Sequence, residues 1–129
     1  MVVSIMALAT AGVTLALRDS GQSLLEREAV RLAALLEAGR AQARASGSQV
    51  RWQALPQGGF RFEGLTAQSL PNQWLNAGTR VAGAGVLVLG PEPLLPPQSV
   101  VLVHPDHPGI QLRVATDGLR PFALTEPAP

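Results

Sequence analysis

The first third of the chain limits the possible folds more than any other stretch. From Met1 to Leu17 (MVVSIMALATAGVTLAL) there is no charged side chain, and only Ser4, Thr10 and Thr14 are polar. From Leu24 onward, LLEREAVRLAALLEAGRAQARA is amphipathic. Leu25, Ala29, Leu32, Leu36 and Ala43 recur at helical spacing and form one apolar stripe. Both halves read as one long helix with two different environments to satisfy. As a helix, Met1–Leu17 would be about 25 Å long at about 1.5 Å per residue. A bilayer span needs about 20 apolar residues, with a lower bound near 17, so this stretch is borderline. A buried core helix is the alternative. No basic region precedes the apolar run, which separates it from a secretory signal peptide.

Arg18-Asp19-Ser20-Gly21 interrupts the apolar run, and Gly21 weakens a helix locally. Asp19 or Ser20 can cap a new start, so a kink or short break is expected here. Glu28 with Arg31 and Glu37 with Arg40 are three apart, giving weak surface pairs. Ser46-Gly47-Ser48 is a stop signal, with Gly47 suited to the left-handed position after the last turn.

Beyond Gly47 the period becomes alternating. Val50, Trp52 and Ala54 alternate with polar residues, as do Phe60 and Phe62, and Pro56-Gln57-Gly58-Gly59 supplies a turn between them. The two runs predict a hairpin. Leu65 to Gly78 predicts a loop anchored by Leu70, Trp74 and Leu75, with Trp74 tucked against the sheet. Gly78 to Gly90 is glycine-rich and reads as loop or bulge, except for a short strand at Val86–Leu89. The prolines from Pro91 to Pro97 keep that segment out of any central strand position. Ser99–Val103 and Ile110–Thr116 predict strands. Asp117-Gly118 is a tight-hairpin signal with a return strand over Leu119–Leu124, which Pro121 places at an edge. The fold class is therefore α+β, a long N-terminal helix packed on a small antiparallel β domain. The organisation is residues 1–20 as the apolar half-helix, 21–47 as its amphipathic half, 48–125 as the β domain and 126–129 as a frayed tail.

Composition removes several chemistries. All ten basic side chains are arginines, which excludes a lysine Schiff base and a P-loop lysine. Without cysteine there is no disulfide, thiolate nucleophile or zinc–thiolate centre. A net charge of +1 exerts little general pull on nucleic acid or anionic lipid. His104, Asp106 and His107 in HPDHPG form either a metal corner or an exposed proline-rich turn, and no further ligand announces itself. Asp117 is a general base on paper, but its place in a hairpin accounts for it. Gly83-Ala84-Gly85 lacks the third glycine of a dinucleotide fingerprint. Arg40, Arg44 and Arg51 make a modest basic patch or, more simply, a solvated face. No catalytic, cofactor-binding or metal site emerges, and the chain reads as a non-enzyme.

An apolar helix, its amphipathic continuation and a small β domain, in that order, resemble the type IV pilin-like proteins. Within them the chain is most similar to the H-type minor pseudopilins of type II secretion (the GspH/FimT group). The stretches that carry the resemblance are MVVSIMALATAGVTLAL, EAVRLAALLEAGRAQARASGSQVRW and the closing VATDGLRPFAL. The family's prepilin peptidase site, Gly-Phe-Thr-Leu-x-Glu, is absent, and by alignment Met1 falls just after its glutamate. The expectation is a natural chain that starts further upstream, with cleavage and methylation there.

The resemblance implies a single-pass inner-membrane protein with its β domain in the periplasm, serving as a structural subunit of a pseudopilus that helps export folded proteins. Val2, Val3, Ile5, Leu8 and Ala11 would face lipid before assembly and neighbouring helices afterward. Gly12, Val13, Leu15 and Leu17 would do the same, with Ala7, Ala9, Ala11 and Gly12 allowing close helix approach. Leu25, Leu32 and Leu36, with Trp52, would hold the second half of the helix on the sheet. Implied partners are the major pseudopilin, the other minor ones, the inner-membrane assembly platform and the lipid bilayer, with no small-molecule substrate and no cofactor. The alternative is a minor type IV pilin acting in pilus assembly or DNA uptake. The C-terminal segment after Arg120, with one acid and no base, argues against nucleic acid.

Overall fold

A computed structural model describes residues 2–65, 70–83, 85–92 and 94–125, with side chains described from Gly21 onward. The fold is α+β. Helix α1 (Val2–Ser46) runs unbroken, so the expected interruption at Arg18–Gly21 does not occur. Gly21 has another role: a Cβ there would lie 2.6 Å from Nδ1 of His107, so the glycine admits a ring from the β domain. After the last turn Gly47 adopts φ 68°, and its N–H donates to Ala43 O at 2.9 Å, as its place after the helix predicts.

Among the described residues seven strands follow, β1 (Val50–Ala54), β2 (Phe60–Glu63), β3 (Arg80–Ala82), β4 (Val86–Gly90), β5 (Gln98–Val103), β6 (Leu112–Thr116) and β7 (Ala123–Thr125). They form two antiparallel sheets, ordered β2-β1-β4 and β3-β5-β6-β7. The expected β1–β2 hairpin is present, with Trp52 opposite Phe62 and Ala54 opposite Phe60. β3 arises within the glycine-rich stretch read as loop, because pairing with β5 aligns Val81 with Leu102 and gives a short apolar segment a partner. The sheets are joined by a side chain. The Gln98 amide accepts from Val88 N at 2.7 Å and donates to Val88 O at 2.9 Å, occupying the open edge of β4 as a strand would.

Both sheets turn their apolar faces to α1. Leu25, Ala29, Leu32, Leu36 and Ala43 are buried from the helix side, and Trp52, Phe60, Leu87, Leu89, Val100, Leu102, Leu112 and Val114 from the sheets. A helix of this length gains most of its stability from such packing, each buried leucine contributing roughly 2 kcal/mol. Trp74 reaches the core from its loop as expected, 4.8 Å from Phe60 and 6.1 Å from Trp52 between ring centroids.

The last hairpin differs from the sequence expectation. Its return strand starts at Ala123, pairing with Ala115, and the chain between makes a wide turn. The physical reason is competition for backbone groups. Glu37 and Arg40 on α1 take the Phe122 N–H and the Gly118 and Arg120 carbonyls, which a tight hairpin would have paired across its own ladder. β7 is an edge strand as expected, although Pro121 lies before it and so does not impose that position. The expected frayed tail, 126–129, and residues 66–69 of the loop lie outside the described residues.

Candidate functional site

The helix surface read as solvated carries the two polar anchors of the fold. Glu28 is fully buried. Its Oε1 accepts from Leu75 N at 2.9 Å, and its Oε2 accepts from Asn76 N at 2.9 Å and the Thr79 hydroxyl at 2.6 Å. Arg31 donates to Gln73 O at 2.8 Å. The expected Glu28–Arg31 surface pair is thus replaced by two separate clamps on one loop. Arg40 is buried as well, donating to Gly118 O, Arg120 O and Glu37. That removes Arg40 from the basic patch and leaves Arg44 and Arg51 exposed.

Residues 72–79 are held from every side. Asn72 O accepts from Phe60 N at 2.9 Å. Arg80 donates to the Ala77 and Thr79 carbonyls at 2.7 and 2.9 Å. Asn76 Oδ1 accepts from Gly78 N at 2.9 Å, which fixes the orientation of its amide. The same oxygen lies 2.9 Å from Nε2 of His104, so that nitrogen carries the proton. Nδ1 of His104 accepts from Asp106 N at 3.0 Å. Leu75, expected as an apolar anchor, is 61% exposed because its N–H turns inward to Glu28.

The HPDH turn is therefore not an exposed turn at His104, which is 5% exposed with both ring nitrogens engaged. A metal at that ring would have to displace one of these bonds. No group of three or more potential metal-binding side chains occurs among the described residues. Asp117 serves its turn, with Oδ1 accepting from Leu119 N at 2.9 Å and Arg120 N at 2.8 Å. The backbone hydrogen bonds from Arg120 and then Leu119 hold its carboxyl below the usual value of 3.8, the opposite of the upward tuning a general base requires.

A cleft adjoins the clamped loop. It measures about 500 Å³, between the β1–β2 turn (Leu55 to Gly59) and residues 72–77, with Phe60, Trp74 and Leu75 on its walls. Sequence reasoning missed Glu28, Asn76 and Arg80 as its framework. The only available signal was an acid at position 28 beside the apolar stripe, and a pair three residues apart explained it equally well.

Of the residues assigned to helix packing, Leu25, Leu32, Leu36 and Trp52 are all in the core. The side chains proposed for membrane or helix assembly (Val2, Val3, Ile5, Leu8, Ala11, Gly12, Val13, Leu15 and Leu17) lie outside the described residues. Among the described residues no helix is long and apolar enough to cross a membrane. Comparison with known protein families, with curated proteins and with solved structures finds no match.

The Gly21–His107 contact yields a test of how helix and turn are fitted together. Alanine in place of glycine favours a helix by about 1 kcal/mol. Gly21→Ala is nevertheless expected to destabilise the chain by about 1 kcal/mol, because the His107 ring must move out of a packed site. In a His107→Ala background the same change is expected to stabilise instead. Urea unfolding of the four chains of this cycle measures the reversal of sign.

Proposed function

We propose that this chain is a pilin-like assembly subunit, in particular a minor pseudopilin of a type II secretion system. The observation that carries the reading is the continuity of α1 from Val2 to Ser46. One helix joins a sequence without charge before Arg18 to a half that lies on antiparallel sheets. An uncharged helical segment needs lipid or other helices around it, and the alanines and glycine at 7, 9, 11 and 12 suit close helix contact. In this reading the β domain stays on the periplasmic side of the inner membrane. The clamps at Glu28 and Arg40 transmit the position of the helix to the loops, and the work of the protein is packing among similar subunits.

The absence of cysteine supplies a clean test. A single cysteine at Ala11, in the native full-length protein in its own membranes, is expected to cross-link to a pilin-like neighbour. The mature N-terminus is expected to be a methylated phenylalanine upstream of Met1. A soluble native protein beginning at an unmodified Met1, with no such cross-link, would overturn the proposal.

A further inference from the structure

The cleft beside residues 72–79 combines a braced backbone with exposed polar side chains. Glu28, Arg31, Arg80 and His104 hold this loop through its backbone groups and the Asn76 amide. Gln57, Asn72 and Gln73 line the cleft, are exposed, and make no side-chain hydrogen bond to another described residue. Elsewhere the Gln98 amide uses both its oxygen and its nitrogen on Val88, and the Asn76 oxygen accepts from Gly78 N and meets His104. A loop braced from behind, with side chains left open in front, is the arrangement a preorganised binding site requires.

The chemistry of the lining narrows the ligand. Among the described residues no charged side chain lines it. The nearby guanidinium groups of Arg31 and Arg80 are turned to the carbonyls of Gln73, Ala77 and Thr79. The Arg80 guanidinium lies within 4 Å of where a Cβ on Gly58 would sit, but its Nη1 is taken by the Ala77 and Thr79 carbonyls, and a cation would find no carboxylate among the lining residues. A primary amide presents a donor and an acceptor side by side, matching adjacent hydroxyls that both donate and accept. Leu55 and the exposed Leu75 offer apolar surface for C–H groups, with the buried rings of Phe60 and Trp74 behind them. The volume of about 500 Å³ falls within the range of small-molecule sites. We propose that this cleft binds a neutral, hydroxyl-rich ligand of one or two sugar rings, held by the Gln57, Asn72 and Gln73 amides. The proposal rests on the cleft alone and stands apart from the assembly role.

The test is titration of the full chain with cellobiose, maltose and chitobiose, followed by amide NMR shifts and by tryptophan emission, since Trp74 borders the cleft. At least one disaccharide is expected to saturate with a Kd of about 1 mM, a typical weak-site affinity. The shifts should be confined to residues 57–60 and 72–77. Asn72→Ala combined with Gln73→Ala removes side chains the fold does not use, and is expected to weaken binding at least tenfold while the spectrum elsewhere is unchanged. Three results would overturn the proposal: no saturation by any of the three sugars, equal binding by the double variant, or the same shifts produced by inorganic phosphate.

Discussion

Trp52→Ala is expected to cost about 4 kcal/mol, the range for deleting a large buried aromatic side chain. Trp52 is fully buried at the centre of β1, aligned with Phe62 on one neighbour and Leu87 on the other. Its ring meets Phe60 at 5.6 Å and Trp74 at 6.1 Å. Removing it leaves a cavity that the helix above and the sheet below cannot close without breaking their own contacts. Since a domain of this size is stable by roughly 5–15 kcal/mol, such a loss brings the chain near its unfolding threshold. Trp52→Phe should cost much less, because the indole Nε1 has no hydrogen-bond partner among the described residues and only volume is lost. Urea midpoints for the two variants measure the difference. A Trp52→Ala chain as stable as the wild type would show that the aromatic cluster is not the centre of the core.

Glu28→Ala carries the second large effect, about 3 kcal/mol. The carboxylate accepts three hydrogen bonds, and each donor left behind is a backbone or hydroxyl group with its partner removed. Hydrogen bonds to a charged acceptor contribute about 1.5–3 kcal/mol each, and the partial exposure of the loop lets water recover part of the total. The loss is expected to be local as well as global. Amides of Leu75 and Asn76 should lose exchange protection well before those of β5 and β6. Glu28→Gln keeps one acceptor oxygen but turns an N–H₂ toward donors, so it should fall between wild type and alanine. Uniform protection across loop and sheets in Glu28→Ala would mean that the loop is held by Trp74 alone.

The periodicities carried much of the architecture. The stripe Leu25–Ala29–Leu32–Leu36–Ala43, the Val50–Glu63 hairpin and the alternation around Val114 each follow from a local rule, burial on one face of a repeating backbone. The burial of Trp74 was legible for the same reason. The glycine-rich segment misled, since β3 is a strand only through its partner β5. Gly21 misled too: its local propensity predicts a break, whereas its lack of a Cβ is used for contact with His107.

The candidate cleft was legible only in fragments. Pro56–Gly59 was recognisable as a turn and residues 72–78 as a loop, but nothing local brings them together. The side chains responsible are polar ones, and polar side chains follow no periodic rule. Glu28 and Arg40 flank the apolar stripe, three or four residues from Leu25, Leu32 and Leu36, but a long polar side chain at such a flank can equally reach solvent, as those of the exposed Glu26 and Arg44 do. What separates them is the presence of unpaired N–H and C=O groups from segments about 50 and 80 residues away.

Helical and extended periods are properties of neighbouring residues, and they suffice to place a long helix with one apolar stripe against antiparallel strands. Only tertiary contacts make Gln98 stitch the two described sheets together, bury Glu28 and Arg40 as anchors, and bring Gln57, Asn72 and Gln73 to one cleft. Each of these depends on a hydrogen-bond partner distant in sequence, and the need of a buried polar group for such a partner appears only when the chain is folded.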